Sequence, residues 1–250
     1  MLCSTRMTIT LHPRRMRWVL FGIVIFLSFA HAIGSAFTYY TGHDQVFGLI
    51  PQFALGLENN FPTWFSSLLH LIAATLLFVI TAEERSHRGR HLREWRFLGF
   101  VFLGLSIDEA ASLHEMLDRP TKLLVENRGA LYYAWVIPAI IFVGVLAIAY
   151  RQWLRALPER TRRLSIFAAF LFVGGAVGFE MLESLHMASG GAFTSHHMKA
   201  MMLVEETMEM CGVVVWIFAL SEYLQINGYA FSVTFSSDSG RENSASKAAD

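Results

Sequence analysis

The sequence has almost no cysteine and little charge, and both shortages exclude whole classes of protein. Its 250 residues include two cysteines, Cys3 and Cys211, which are too few for a disulfide-stabilised secreted domain. Charged residues make up 16% of the chain and the formal net charge is zero, so no basic surface for a nucleic acid is expected. The sequence also has no glycine-rich phosphate loop and no zinc-finger spacing. Nucleic acid is therefore not an expected partner.

Apolar residues, in contrast, are abundant and form long runs. They account for 54% of the chain, and the mean hydropathy of +0.43 is too high for an ordinary soluble domain. Six runs have about the 20 residues that cross a bilayer: Trp18–Tyr40, Phe61–Thr81, Phe97–Leu117, Leu131–Tyr150, Leu164–Met187 and Ala200–Leu224. We predict an all-α integral membrane bundle of six transmembrane helices over residues 18–224. A basic cytoplasmic arm (1–17) precedes it, and a disordered polar cytoplasmic tail (225–250) follows it.

Lysine and arginine are distributed unevenly among the connecting segments. Sixteen of the 20 lie in the N-terminal arm, the 82–96 loop, the 151–163 loop and the tail. Because cytoplasmic segments are enriched in these residues, we expect both termini in the cytoplasm. The arginines between positions 14 and 17, with the Ala30-His31-Ala32 triplet, are also typical of a cleavable signal peptide. The apolar run continues to Tyr40, which favours an uncleaved first helix.

Acidic and histidine side chains recur inside three of the predicted helices, where charge is costly. They are Asp108, Glu109, His114 and Glu115 on the third helix, Glu180, Glu183 and His186 on the fifth, and Glu205, Glu206 and Glu209 on the sixth. In the predicted topology all of them lie in the outer half of the bilayer, with no Lys or Arg in the same helices. We predict a polar site there, whose acids are either protonated or neutralised by cations. The apolar segment 43–60 is too short to span and would lie at the interface or cover this site, bringing Glu58 close.

Carboxylates and imidazoles on facing helices are the ligands of dinuclear iron or manganese sites in helix bundles. Glu183 and His186 form one Glu-x-x-His pair, whereas the sixth helix has no histidine. An oxygen-rich site without thiolates favours iron, manganese, magnesium or calcium over zinc, and we expect iron or manganese. The predicted direct ligands are Asp108, Glu183, His186 and Glu206. His31 and His70 are additional candidates, although a hydrogen-bonded core histidine is the commoner role for such residues.

Two strings, PTWFSS at 62–67 and SIDEAASLHE at 106–115, resemble a family of uncharacterised multi-pass bacterial membrane proteins. The resemblance runs from about residue 45 to residue 224. It implies a location in the bacterial inner membrane, where the predicted topology turns the site toward the periplasmic or extracellular side. The architecture is also loosely similar to membrane-bound di-iron carboxylate enzymes, although their second Glu-x-x-His pair is missing here.

Three functions are compatible with these features. The first is a membrane metalloprotein, an oxidoreductase acting on a lipid or quinone-like substrate, in which the metal supplies charge balance and reactivity. The second is a proton- or cation-coupled transporter that uses the same acids as an ion relay, although the inner halves of the helices offer no polar route. The third is a structural membrane subunit. We favour the first, with the lipid bilayer and a lipid-soluble substrate as partners and the oligomeric state open.

Overall fold

The computed structural model describes residues 6–8, 12–124, 128–229 and 232–234, and nearly all of them are helical. In these residues nine α-helices follow in chain order: α1 (Pro13–Thr41), α2 (Leu49–Gln52), α3 (Phe61–Ser86), α4 (Leu92–Ala111), α5 (Leu113–Leu124), α6 (Val136–Ala156), α7 (Glu159–Val173), α8 (Glu180–Ala188) and α9 (His196–Ile226). A 3-10 turn covers Gly129–Leu131, and a π-helical turn covers Gly174–Phe179 between α7 and α8. The predicted helical fold class is confirmed for this part of the chain.

The two ends of the described chain meet in a small sheet. Strand β1 (Arg6–Thr8) pairs antiparallel with β2 (Ser232–Thr234), so that Met7 lies opposite Val233. The predicted disordered tail 225–250 therefore starts at the end of α9 and includes a strand. Its residues 230–231 and 235–250 lie outside the described residues, as do 1–5 and 9–11 of the predicted N-terminal arm.

Helix α9 lies at the centre of the packed part of the bundle. Every residue from Gly212 to Leu220 is buried, on all sides of the helix, as expected for a helix that is apolar all round. Helices α1, α3 and α7 pack against α9, and α4 packs against α3. On α3 the buried residues Leu69, Ala73, Leu77 and Ile80 recur at helical spacing and form one continuous apolar face.

Four helical units are long and apolar enough to cross a membrane: Pro13–Thr41, Phe61–Ser86, Val136–Ala156 and Glu159–Ala188. The bent pair of α4 and α5 makes a fifth candidate if it counts as one span. The described chain is thus a helical protein with four or five candidate membrane spans. The last predicted segment, 200–224, falls within α9, and the six spans and their orientation stay predictions.

The third predicted span, Phe97–Leu117, is not one straight helix. Helix α4 ends at Ala111, Ser112 takes a left-handed conformation (φ 49°), and α5 leaves at 89° to α4. The side chain of Asp108 accepts a hydrogen bond from the backbone N–H of His114 (2.6 Å), which satisfies a free donor at the start of α5. In one straight helix Asp108 and Glu115, seven residues apart, would lie on the same face. Because of this break they lie on two different helices and do not share a face.

Helix α7, the π turn and α8 form one helical unit that lies close against α9. A Cβ atom at Gly175 would lie 2.9 Å from the carbonyl oxygen of Glu205 and 2.7 Å from Cγ of Glu209. Glycine therefore permits the close approach here, which is the usual role of small residues between membrane helices. The wider π turn also changes the direction of the residues that follow it, and Glu180 follows it directly.

The segment between α1 and α3 folds back over the end of the bundle. Leu55 is buried, and its backbone N–H donates to Nδ1 of His31 on α1 (2.9 Å). Asn60 caps α3 by accepting a hydrogen bond from the backbone N–H of Thr63 (3.1 Å). These contacts hold Glu58 at the mouth of the main cavity.

Candidate carboxylate site

A cavity of about 810 Å³ lies between α3, α4, α6, α7 and α9. Carboxylates line one end of it: Glu58, Asp108, Glu109, Glu115, Asp118, Glu180, Glu183, Glu205, Glu206 and Glu209. We call this set of ten the acidic end. Among the described residues that line the cavity, Arg119 is the one lysine or arginine. The structure brings together all eight carboxylates of the predicted site, and their role as ligands stays a prediction.

Three carboxylates converge at the centre of the acidic end. Glu180, Glu183 and Glu205 each offer one oxygen, and the three oxygens lie within 4.8 Å of one another. Glu183 is only 4% exposed, and its Oε1 has no hydrogen-bond partner in the described part of the chain. A buried carboxylate oxygen without a donor is costly unless a proton or a cation satisfies it. The arrangement therefore has the ligand type and the spacing of a cation site.

A tryptophan from outside the predicted site helices orients Glu180. The indole N–H of Trp135, just before α6, donates to Oε1 of Glu180 (3.0 Å). The same indole lies against the His114 ring, with centroids 4.8 Å apart. Close by, the backbone N–H of Tyr133 donates to Oγ of Ser184 on α8 (3.1 Å). The short segment before α6 therefore links α8 to α5 at the acidic end.

Asp108 and His114 form a second well-defined pair at the acidic end. One carboxylate oxygen of Asp108 accepts the backbone N–H of His114, and the other lies 3.0 Å from Nδ1 of the ring. An ionised carboxylate can only accept, so Nδ1 donates and Nε2 carries the lone pair in the neutral ring. A carboxylate behind the ring in this way is the usual second partner of a metal-binding histidine, because it fixes the tautomer and the orientation.

His70 on α3 lies where the carboxylate lining gives way to apolar side chains. Its ring is flanked by those of Phe102 and Phe172, with centroids at 6.0 and 5.5 Å. Nδ1 donates to the carbonyl oxygen of Ser66 (2.9 Å), since a carbonyl can only accept. The residue is 1% exposed, and its Nε2 has no partner among the described residues. His70 therefore stays a candidate ligand or hydrogen-bond acceptor.

Two predicted ligands, His31 and His186, do not line the cavity. Nδ1 of His31 accepts the N–H of Leu55, and its Nε2 lies 3.3 Å from the carbonyl oxygen of Lys199, so both ring nitrogens have protein partners. Nε2 of His186 lies 2.9 Å from Oγ of Ser195, the N-cap of α9. The structure therefore does not bring the two members of the Glu183-x-x-His186 pair to a common point: Glu183 faces the cavity and His186 faces the turn before α9.

Sequence reasoning missed Asp118, which belongs to the acidic end, and Trp135, which donates a hydrogen bond to it. Asp118 accepts the backbone N–H of Ala134 (2.6 Å) and pairs with Lys122, so it ties α5 to the segment before α6. Asp118 lies on α5, just beyond the third predicted span, and Trp135 lies immediately before α6. Their contacts depend on how these elements pack together, which is not readable from periodicity. Glu58 reaches the cavity mouth as expected of a covering segment, and partial burial raises the pKa of its carboxyl group.

The comparisons with known proteins concern the whole helical region. No curated protein and no solved structure matches the chain. The sequence profile described as "Domain of unknown function (DUF8692)" matches residues 18–223, from the first turns of α1 almost to the end of α9. This agrees with the expected membership of an uncharacterised family. The chain therefore belongs to the DUF8692 family.

Proposed function

We propose that this chain is a multi-pass membrane metalloprotein that holds iron or manganese at its acidic end. In the proposed topology it spans a bacterial inner membrane six times with both termini in the cytoplasm, so the acidic end lies on the periplasmic or extracellular side. One observation carries the proposal: Glu180, Glu183 and Glu205 converge within 4.8 Å, and Oε1 of Glu183 is buried without a partner among the described residues.

The charge balance at the acidic end supports a bound cation. Ten carboxylates line this end, and Arg119 at its rim is exposed. Lys122 is close, but it is already paired with Asp118. A divalent cation would neutralise two carboxylates and accept lone pairs from several oxygens at once, whereas a proton serves only one or two. A metal is therefore the more complete way to satisfy Oε1 of Glu183 together with the carboxylates that face it.

The donor set indicates which metal and which residues. Glu180, Glu183 and Glu205 would bind it directly, and His114 would supply the adjacent imidazole. Carboxylates with one or two imidazoles and no thiolate suit iron or manganese better than structural zinc. Trp135 and Asp108 would orient Glu180 and His114 through the hydrogen bonds already present. When bound, iron or manganese would supply one-electron redox chemistry.

The shape of the cavity supports a lipid-soluble substrate. Beyond His70 its lining is apolar and aromatic apart from Ser165, and it continues along α6 toward Trp153. The same lining gives less support to a proton or cation transporter, because a transported ion needs a continuous polar route. We therefore propose redox chemistry on a lipid-soluble molecule at the acidic end.

Elemental analysis by plasma mass spectrometry of the detergent-purified chain tests the proposal. We expect about one or two iron or manganese ions per chain, the stoichiometry of carboxylate-bridged metal centres. The variant Glu180→Gln/Glu183→Gln/Glu205→Gln keeps the size of the side chains and should lose the metal. Glu84→Gln is the matched control, because Glu84 is also a buried carboxylate but does not line the cavity.

Circular dichroism and gel filtration establish that each variant folds. Metal in the wild type and in Glu84→Gln but not in the triple variant would support the proposal. No stoichiometric metal in the folded wild type, or full retention by the folded triple variant, would overturn it. Oxygen consumption by the metal-loaded protein in the presence of a quinol then tests the redox part separately.

A further inference from the structure

Helix α6 stands apart from the rest of the bundle along most of its length. Its buried residues are Val136 at one end and Trp153 near the other, and every residue from 137 to 152 is at least partly exposed. The cavity extends along this helix from the acidic end to Trp153. At 1.5 Å per residue, Val136 and Trp153 lie about 26 Å apart, most of the thickness of a hydrocarbon core.

This part of the cavity, which we call the slot, has an apolar and aromatic lining. Its walls include Phe102, Phe142, Leu146, Phe172 and Trp216. The rings of Phe102 and Trp216 stack with centroids 6.1 Å apart, so this part of the wall is aromatic. An apolar slot of this length suits an extended hydrocarbon chain, and the volume of the whole cavity, about 810 Å³, is within the usual range for small-molecule sites.

The polar groups where the slot meets the acidic end restrict the head of such a molecule. An anionic head, such as a phosphate or a carboxylate, would face ten carboxylates and be repelled. Nε2 of His70 is a buried acceptor without a partner among the described residues, and Phe102 and Phe172 flank its ring. The complementary head group is therefore a hydrogen-bond donor that is not an anion. A hydroxyl fits better than a protonated amine, because a charged group between the two phenylalanine rings would be costly to desolvate.

We propose that the slot binds the hydrocarbon chain of a long-chain alcohol, whose hydroxyl donates a hydrogen bond to Nε2 of His70 beside the carboxylates. This inference names the substrate class of the proposed metal site, so the role of the alcohol as a substrate rests on the proposed function. Binding itself is measured independently of the metal.

The test uses octadecanol with a mid-chain diazirine, photolysed with the full chain in phosphatidylcholine vesicles and mapped by peptide mass spectrometry. We expect labels on slot residues of α4, α6 and α7, displaced by unlabelled octadecanol. Octadecyl methyl ether, which cannot donate, should compete about tenfold less well, the effect of one buried hydrogen bond. Stearate, which is anionic, should compete least. In His70→Phe the alcohol and the ether should compete equally.

Two alanines on α6 give a matched pair of variants. Ala147 lines the slot and Ala149 does not, and neither is buried. Ala147→Trp should abolish displaceable labelling, while Ala149→Trp should keep it, and both should retain the metal content of the wild type.

Labelling that octadecanol does not displace, equal competition by alcohol and ether in the wild type, or unchanged labelling of Ala147→Trp would overturn the inference. Normal metal content together with any of these results would leave the metal proposal standing. Alcohol-selective labelling of a metal-free protein would support the slot and overturn the metal proposal alone.

Discussion

The two ends of the bundle both bury carboxylates, but they surround them differently. At the end remote from the cavity mouth, Glu84 accepts a hydrogen bond from the hydroxyl of Tyr223 (2.5 Å) and a second, longer one from Tyr229 (3.3 Å). The rings of Trp95 and Trp153 pack edge to face nearby, with centroids 4.8 Å apart. We call this region the aromatic end. At the acidic end, in contrast, many carboxylates meet and Oε1 of Glu183 has no donor among the described residues.

The comparison separates a structural carboxylate from a candidate ligand. Glu84 on α3 is satisfied by hydroxyls from α9 and from the residues just after it, so its hydrogen bonds hold elements of the fold together. Carboxylates that face each other without donors weaken the fold unless something binds them. Natural proteins depart from good local pairing chiefly at functional sites. Burial of an acid alone is therefore not the distinguishing feature. What distinguishes the acidic end is that several carboxylates face one another there, with Oε1 of Glu183 lacking a donor in the described part of the chain.

The largest effect on stability is expected from adding a side chain at Gly175, where two helical units are in close contact. In Gly175→Ala the new methyl group would meet the Glu205 backbone carbonyl at 2.9 Å, and two packed helical units would have to separate. We expect a loss of about 2–3 kcal/mol in the free energy of unfolding, typical of overpacking, together with weaker metal binding. Thermal unfolding in detergent measures the loss.

Gly178→Ala is the matched control, because a Cβ atom at Gly178 would meet nothing within 4 Å. It should be neutral or slightly stabilising, since alanine is the better helix former. Equal melting temperatures for the two variants would mean that the π turn and α9 are not in close contact.

The next effect is expected at the aromatic end. Tyr223→Phe removes the closer of the two donors to Glu84 and leaves a buried carboxylate with the longer contact from Tyr229. We expect the free energy of unfolding to fall by about 1–2 kcal/mol, as for other buried groups that lose a partner. Chemical denaturation followed by tryptophan fluorescence measures it, with the exposed Tyr40→Phe as control. An unchanged midpoint would show that Glu84 does not need this donor.

At the acidic end, a substitution at a buried carboxylate should raise the free energy of unfolding rather than lower it. In metal-free protein, Glu183→Gln removes one charge from a group of like charges and keeps the shape of the side chain. We expect the free energy of unfolding to rise by about 1 kcal/mol. Thermal unfolding in the presence of a chelator tests this, and adding iron or manganese should stabilise the wild type but not the variant. If the metal-free variant is instead less stable than the wild type, Glu183 has a structural role like that of Glu84.

The smallest effect is expected at His186, where the prediction from sequence spacing and the structure differ most. His186→Gln keeps a polar atom near Oγ of Ser195. We expect metal content to stay at the wild-type value and the free energy of unfolding to change by less than about 1 kcal/mol. The paired measurements are plasma mass spectrometry and thermal unfolding. Loss of metal would restore the Glu-x-x-His ligand pair that the spacing predicts.

Much of the acidic end could be predicted because a carboxylate inside an apolar run is conspicuous. Asp108, Glu180 and Glu205 each interrupt such a run, and all three line one cavity. Trp135 and Asp118 could not be predicted, since each acts through a contact between different elements of the fold. The direction of His186 depends on its contact with Ser195 across the turn that joins α8 to α9. Helical spacing alone does not include that contact.

The bend after α4 shows the same limit. The apolar and polar residues of the string SIDEAASLHE alternate in a pattern that fits a single helix, so the sequence predicts a straight helix here. Whether the chain turns depends on the left-handed Ser112 and on the capping bond from His114 to Asp108. A non-glycine residue in that conformation is unfavourable in isolation, so its surroundings must select it.

The sequence by itself determined that this protein is helical and apolar enough for a membrane, and that three of its segments carry acids in excess of bases. Those properties follow from side-chain hydrophobicity and charge, which each residue brings wherever it lies. Only the tertiary structure decided which acids converge, which histidines are already occupied, and where the slot beside α6 runs. These depend on distances of a few ångströms between elements remote in the chain, which are set by helix packing, the π turn and the bend at Ser112.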